Sequence, residues 1–275
     1  MKAVRRVYDA RELLWNFTLR ELRTKYRRSF LGWTWSLLNP LAAVAIYGFV
    51  FGIVFRAIPP TGDPSGIFNF ALFLVCGLIP WNFFSLINNL GLESVSANAA
   101  LVKRVAFPRE ILVFSNVLHA CVQFAIELTI LCVIMAIAGS PLLPWVPVLL
   151  LTSLLLATFA SGVALALAAA SVYFRDLKSL WLIVLQAWFF ATPIVYPPSL
   201  VENEIRASAR IPDWTLDVLN ANPVAAFVRV YRRLLYDGAA PGLTTMAGLV
   251  VVSFVSLAIG WWIFAKLSPR FAEEA

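Results

Sequence analysis

Six long apolar runs, separated by shorter polar connections, divide most of the chain. They cover residues 33–55, 69–91, 111–138, 148–172, 179–198 and 243–265. A helix of about 23 residues is roughly 35 Å long, which is enough to cross the ~30 Å hydrocarbon core of a bilayer. The pattern predicts an all-α integral membrane protein with six transmembrane helices, of which the fifth is the shortest and is interrupted by Pro193 and Pro197-Pro198.

The polar stretch before the first apolar run predicts an amphipathic helix over residues 9–28. Apolar side chains recur there at helical spacing, at Trp15, Leu19, Leu22 and Tyr26. Basic side chains flank this stripe, at Arg20, Arg23 and Arg27. We expect such a helix to lie in the headgroup plane, with its rings toward the lipid tails and its cations near anionic lipid.

The connection 199–242 is too long and too regular for a simple loop. Asn222 can cap a helix, Pro223 suits its first turn, and Asp237-Gly238 can end it. About fifteen residues cannot span a bilayer, so we expect a short helix that lies on or dips into the outer leaflet. Its cations are Arg229, Arg232 and Arg233.

The connection between the second and third runs, "ESVSANAALVKRVAFPRE", predicts another short helix. Ser94 or Ser96 can cap it, and it ends before Pro108, because the residue before a proline disfavours helix. The helix carries an apolar knob with a basic rim, made by Leu101, Val102, Lys103, Arg104, Val105 and Phe107. A solvated loop does not need such a knob, and the combination indicates docking to another protein.

Charge distribution fixes the expected orientation. Sixteen of the 22 Lys and Arg residues lie in the N-terminal region 1–32, the connections 92–110 and 173–178, and the tail 266–275. With an even number of spans these four pieces share one side, which the positive-inside rule makes cytoplasmic. The composition, 61% hydrophobic and 13% charged, likewise favours a membrane over nucleic acid as the partner of these cations.

Polar side chains within the third run are costly at membrane depth. His119, Gln123 and Glu127 follow one another at helical spacing and share one face of the predicted helix. They either bond to neighbouring helices and hold the bundle together or line a polar route through it.

Aromatic side chains form two further candidate surfaces. Tyr47, Phe51 and Phe55 share a face of the first span, and Trp181, Trp188 and Tyr196 lie near one face of the fifth. Sugar rings stack on such side chains, so these faces either line a pore or contact lipid in the ordinary way.

Catalytic and metal-binding motifs are missing from the sequence. There is no Gly-Lys pair, and hence no phosphate-binding loop of the GxxxxGK[ST] type, and no HExxH, CxxC or GxSxG. The chain has one His, and the three Cys lie in apolar runs, where they serve as small hydrophobic residues. We expect no catalytic, cofactor or metal site on this chain.

Five motifs in this order resemble one family. They are "YRRSFLGWTWSLLNPL", "GLIPWNFFS", "LVKRVAFPREIL", "VYFRDLKSLW" with "TPIVYP", and "NPVAAFVRVYRRLLYDG". Together they resemble the membrane subunits of ABC exporters of cell-surface polysaccharides, the O-antigen, teichoic-acid, capsule and galactan permeases. The resemblance implies a second copy of the chain, a separate ABC ATPase that binds ATP and Mg, and a glycan carried on undecaprenyl diphosphate.

Residue roles follow from the same resemblance. It implies a coupling helix near 97–107, outer gate helices within 199–242, channel walls in the first and fifth spans, and a six-helix domain over 33–265 in the inner or plasma membrane. Arg23, Arg27 and Arg28 lie where a lipid diphosphate would approach, or they anchor the chain to anionic lipid. An ABC exporter of a small lipid or drug, a membrane-embedded glycolipid enzyme and a secondary transporter are the alternatives.

Overall fold

The computed structural model describes residues 10–26, 38, 41–42, 45–55, 58–105, 107–174, 176–200, 212 and 214–271, and within these ranges it consists of helices joined by turns and loops, without strands. The helices run over Arg11–Tyr26 (α1), Ala45–Val54 (α2), Phe70–Ser94 (α3), Ala99–Arg104 (α4), Glu110–Ile137 (α5), Val146–Tyr173 (α6), Leu177–Ala191 (α7), Trp214–Ala221 (α8), Pro223–Arg232 (α9) and Leu243–Leu267 (α10). A π-helical turn over Arg233–Asp237 extends α9.

Four of the described helices, α3, α5, α6 and α10, are long and apolar enough to cross a membrane. They correspond to the second, third, fourth and sixth apolar runs. The fifth run is shorter than predicted as a helix: α7 has 15 residues, about 22 Å, and a turn over 192–196 follows it. Pro193 lies in that turn, where its missing N–H cannot continue the helix. The first run is described from residue 45 as α2, so six spans remain a prediction.

Helix α3 is the centre of the bundle and contacts α5, α6 and α9. Its aromatic side chains mark these contacts. Phe83 stacks on Phe124 of α5 with ring centroids 4.1 Å apart, and Phe84 stacks on Phe159 of α6 at 5.7 Å. The C-terminus of α3 leads into α4 at the end of the bundle that carries α1, which we call the α1 end. The N-terminus of α3 follows the connection 58–69 at the opposite end, which we call the distal end.

Helices α6 and α10 approach each other through two glycines. A Cβ atom on Gly260 would lie 2.6 Å from the carbonyl carbon of Gly162 and 2.9 Å from its Cα. On the other side of α6, a Cβ on Gly91 of α3 would lie 2.6 Å from the Cβ of Ala164. Small residues of α6 therefore allow close helix packing, which is a major source of helix association in lipid.

The α1 end is tied together by contacts between distant parts of the sequence. Phe17 of α1 stacks on Phe107, and Arg20 donates a hydrogen bond to Asn98 Oδ1 at 2.9 Å. Asn98, not Ser94 or Ser96, occupies the N-cap position of α4, and it makes no side-chain cap. The two serines instead donate to carbonyls within α3, so the predicted serine cap is wrong.

Helix α9 is almost wholly enclosed. Phe227, Tyr231 and Leu235 have no exposed surface. The predicted ends are confirmed: Asn222 accepts hydrogen bonds from the amides of Val224 and Ala225, and Gly238 takes the left-handed conformation at φ 71°. Phe227 lies against Phe159, near the middle of α6, whereas Trp145 donates to Gly238 O at the distal end. Helix α9 therefore rises from the middle of the bundle to its distal end.

Candidate functional site

The predicted docking segment is divided between buried and exposed side chains. Val102 is buried within the chain, and Leu101 is half-buried, as is Phe107 in its stack on α1. The exposed part consists of Lys103, Arg104 and Val105. Two cations and the one apolar side chain that follows them are therefore the part of this segment that is open to its surroundings.

The N-terminal helix presents opposite faces to the bundle and to its surroundings. Phe17 and Thr18 are buried against the bundle, where α1 packs on α5, whereas Trp15 is 58% exposed. The Arg20 guanidinium lies 4.6 Å above the Phe17 ring. Arg23 is exposed. Arg27 and Arg28, which were predicted together with Arg23 to meet a lipid diphosphate or anionic lipid, lie outside the described residues.

Two of the predicted polar residues of α5, Gln123 and Glu127, face α3 across a cavity. His119 and Glu127 are buried, and Gln123 Nε2 donates to Glu127 Oε1 at 2.8 Å. A cavity of about 280 Å³ adjoins this pair. Its polar lining consists of Asn82, Ser85, Asn89, Gln123 and Glu127. Amide, hydroxyl and carboxylate groups thus meet between two of the membrane-length helices.

The first aromatic set forms a continuous row. Phe51 lies 6.2 Å from Tyr47, 5.7 Å from Phe55 and 5.4 Å from Phe70 of α3, measured between ring centroids. Phe55 is 67% exposed, while Tyr47 and Phe51 are half-buried. The row therefore has one face on α3 and one face open.

The second aromatic set is less open than its sequence spacing indicates. Trp181 is only 7% exposed, and its ring meets Trp188 edge to face at 6.4 Å. Trp188 packs in turn against Phe84 of α3 at 5.2 Å. Tyr196 lies beyond the end of α7 and donates to Phe190 O at 2.8 Å. Within the described ranges no ring contact joins this set to the first.

The three arginines of the distal region have different surroundings. Arg229 is half-buried and donates to Asn220 Oδ1 at 3.2 Å. Arg233 is the most exposed and forms an ion pair with Asp237 at 3.3 Å. Arg232, in contrast, is 6% exposed and donates only to backbone carbonyls. Sequence spacing could not separate these roles.

Asn222 does more than cap α9. It accepts a hydrogen bond from Trp188 Nε1 at 2.9 Å and donates to Ala191 O at 3.1 Å and to Thr192 Oγ1 at 2.9 Å. The Asn-Pro pair indicated a cap, but no local signal indicates these contacts, because the partners are about thirty residues away. The N-terminus of α9 is thereby joined to the end of α7.

Comparison with known proteins adds a family and named relatives. A profile described as ABC-2 type transporter matches residues 12–236. The chain is 33% identical to an O-antigen export system permease protein RfbA of Myxococcus xanthus, over 100% of this chain and 99% of that protein. It is 30% identical to an RfbA of Klebsiella pneumoniae over 95% and 94%, and 24% identical to the polysialic acid transport protein KpsM of Escherichia coli over 94% and 92%.

Proposed function

The chain belongs to the ABC-2 type transporter family, and we propose that it is the membrane subunit of an ATP-driven exporter of a cell-surface polysaccharide. The observation that carries the proposal is the 33% identity to an O-antigen export permease across the whole chain. Four membrane-length helices, α3, α5, α6 and α10, supply a body that suits this role. Another relative, KpsM, is named for the transport of polysialic acid. The relatives together therefore support polysaccharides as the substrate class, without selecting one particular sugar.

Export runs from the α1 end to the distal end in this proposal. Sixteen of the 22 Lys and Arg residues lie in the N-terminal region, the connections 92–110 and 173–178, and the tail, and the positive-inside rule makes the side that they share cytoplasmic. Two copies enclose the passage, with the open faces of α2 and α7 as its walls. The substrate enters as a glycan on a lipid diphosphate, for which cations near the cytoplasmic surface are suitable partners.

Energy comes from a separate ATPase in this scheme, since the chain carries no phosphate-binding loop. ATP and Mg bind to that partner, which docks on Lys103, Arg104 and Val105. The test is copurification of the chain with an ABC ATPase of the same organism, followed by an assay of ATP hydrolysis with and without lipid-linked glycan. We expect a stable complex whose hydrolysis rate responds to the glycan. A chain that binds no ATPase would contradict the proposal.

Arginines at the start of the first apolar run are expected to bind the substrate diphosphate. The double substitution Arg27→Gln and Arg28→Gln removes two cations and should lower export about tenfold or more, because charge-assisted hydrogen bonds to phosphate contribute roughly 1.5–3 kcal/mol each. Insertion and ATPase binding should persist. The matched control is Arg5→Gln with Arg6→Gln, which removes the same charge farther from the apolar run. Full export by the first double variant would assign Arg27 and Arg28 to lipid anchoring alone.

We assign Glu127 a structural role in the polar cluster that lies between α3 and α5. Glu127→Gln keeps an oxygen that can accept from Gln123, so we expect export to stay within about twofold of wild type and to keep its pH dependence. Glu127→Leu removes the acceptor and leaves the half-buried Gln123 amide without this partner, which costs about 1 kcal/mol. Export measured between pH 6 and 8 distinguishes the roles. A lost or shifted pH dependence in Glu127→Gln would instead indicate a proton route.

A further inference from the structure

Arg232 is a buried cation whose hydrogen bonds go to backbone carbonyls. Among the described residues no Asp or Glu lies within ion-pair distance of its guanidinium, and the side chain is 6% exposed. A charge buried in this way costs several kcal/mol unless its surroundings compensate for it. The contacts it makes in return therefore indicate a specific role.

Those contacts join three parts of the chain. Nη1 donates to Pro193 O and Nη2 to Ile194 O, each at 2.6 Å, and Nε donates to Phe73 O at 3.3 Å. The guanidinium carbon also lies 3.7 Å from the centre of the Phe73 ring. Gly77 leaves room for the group, because a Cβ there would lie 3.0 Å from Nη2. Helices α3 and α9 and the break after α7 meet at one planar cation.

The break needs these donors. Helix α7 ends at Ala191, and the buried residues Pro193 and Ile194 follow it in a turn. Their carbonyls have no place in a helical ladder, and a backbone acceptor without a partner is costly within a membrane. The two terminal nitrogens of Arg232 fit two successive carbonyls, which the single ammonium group of a lysine cannot match in the same geometry.

The two ends of α9 therefore hold one short stretch of backbone. Asn222 at its N-terminus bonds to Ala191 and Thr192, and Arg232 at its C-terminus bonds to Pro193 and Ile194. Four consecutive residues are attached in this way along about 15 Å of helix. The direction in which α7 leaves the bundle, and with it the position of Trp188, depends on this attachment.

We infer that Arg232 is a positioning residue that fixes the break after α7 to α9 and α3, and thereby holds the distal part of the polysaccharide passage in its conducting and sealed geometry. The inference rests on the proposed function for its link to export. The sealing of the passage against small solutes, however, can be measured on this chain without the ATPase. Loss of the hydrogen bonds from Arg232 to Pro193 and Ile194 does not change α4, which lies at the α1 end. ATP hydrolysis should therefore continue while glycan export falls.

The test compares Arg232→Lys and Arg232→Met with the neighbouring control Arg233→Met in the full transporter, with export counted per assembled complex. We expect both Arg232 variants to hydrolyse ATP within about twofold of wild type but to export at least tenfold less glycan per ATP. Arg233→Met should behave as wild type, because its exposed ion pair contributes little. Lysine keeps most of the bulk and the charge, so it also covers the case in which Arg232→Met does not accumulate.

A second measurement separates the inference from the proposed function. Vesicles that contain the chain without any ATPase are loaded with a small fluorescent solute, and its loss is followed. We expect faster loss from vesicles with Arg232→Lys than from those with wild type or Arg233→Met, whatever the natural substrate is. Wild-type export per ATP and an intact seal in Arg232→Lys would overturn the inference. So would failure of Arg232→Lys to accumulate, which would assign Arg232 to folding alone.

Discussion

Replacing Gly260 with alanine is expected to abolish the folded protein, or to lower its thermal stability by the largest amount of any single methyl addition. The new Cβ would overlap the Gly162 carbonyl group, with its carbon 2.6 Å away. Backbone atoms cannot move aside as a flexible side chain can, so α6 and α10 must separate. Overpacking typically costs about 1–3 kcal/mol, and a clash with backbone lies at the upper end of that range or above it. The measurement is the yield of monodisperse protein and its melting temperature in detergent.

Gly248 provides the matched control because it lies on the same helix. A Cβ on Gly248 meets nothing within 4 Å, and alanine favours a helix slightly more than glycine does. Gly248→Ala should therefore accumulate and melt as wild type. Equal behaviour of the two alanine variants would show that the close α6–α10 contact is not what holds the last membrane-length helix in place.

Replacing Val105 with aspartate is expected to uncouple the chain from its ATPase. Val105 is 51% exposed and directly follows the exposed cations Lys103 and Arg104, so the substitution adds a charge to the proposed docking face without disturbing the core. A carboxylate forced into an apolar contact costs several kcal/mol, and each 1.4 kcal/mol is a factor of about ten in affinity. We expect copurification of the ATPase and glycan export both to fall at least tenfold.

Ser96 is the control for this substitution. It is exposed in the same connection but lies before α4, and its hydroxyl donates to Glu93 O at 3.2 Å. Ser96→Asp adds the same charge near the same helix and should leave the ATPase bound. If Val105→Asp retained its ATPase at wild-type affinity, the docking face would have to be sought elsewhere at the α1 end.

Local chemistry explains which parts of the fold could be predicted from the sequence. Apolar length alone locates α3, α5, α6 and α10, because a bilayer requires a long uninterrupted apolar helix. The ends of α9 were equally predictable, since an Asn-Pro start and a glycine stop depend on neighbouring residues only. The prediction of a serine cap was wrong because Ser94, Ser96 and Asn98 are all suitable residue types for the N-cap of α4. The residue type alone does not decide which of them takes that position.

Packing between distant residues explains what could not be predicted. Val102 appeared to belong to an exposed knob, yet the fold turns it inward and leaves Val105 outside. Arg232 appeared equivalent to Arg229 and Arg233, because nothing in a single helix shows that two carbonyls thirty-eight and thirty-nine residues away will meet it. The Gly162–Gly260 contact was hidden for the same reason. Such contacts decide how the candidate sites are held, and they become visible only once helices are assembled.

The central claim is that this chain forms a polysaccharide passage that works only when a separate ATPase acts on it. The most direct measurement is glycan translocation in vesicles reconstituted with the chain, with the ATPase, or with both, using a lipid-linked glycan. The account predicts transport only with both proteins and hydrolysable ATP, in the direction away from the ATPase. Transport by the chain alone, or transport that does not depend on ATP hydrolysis, would contradict it.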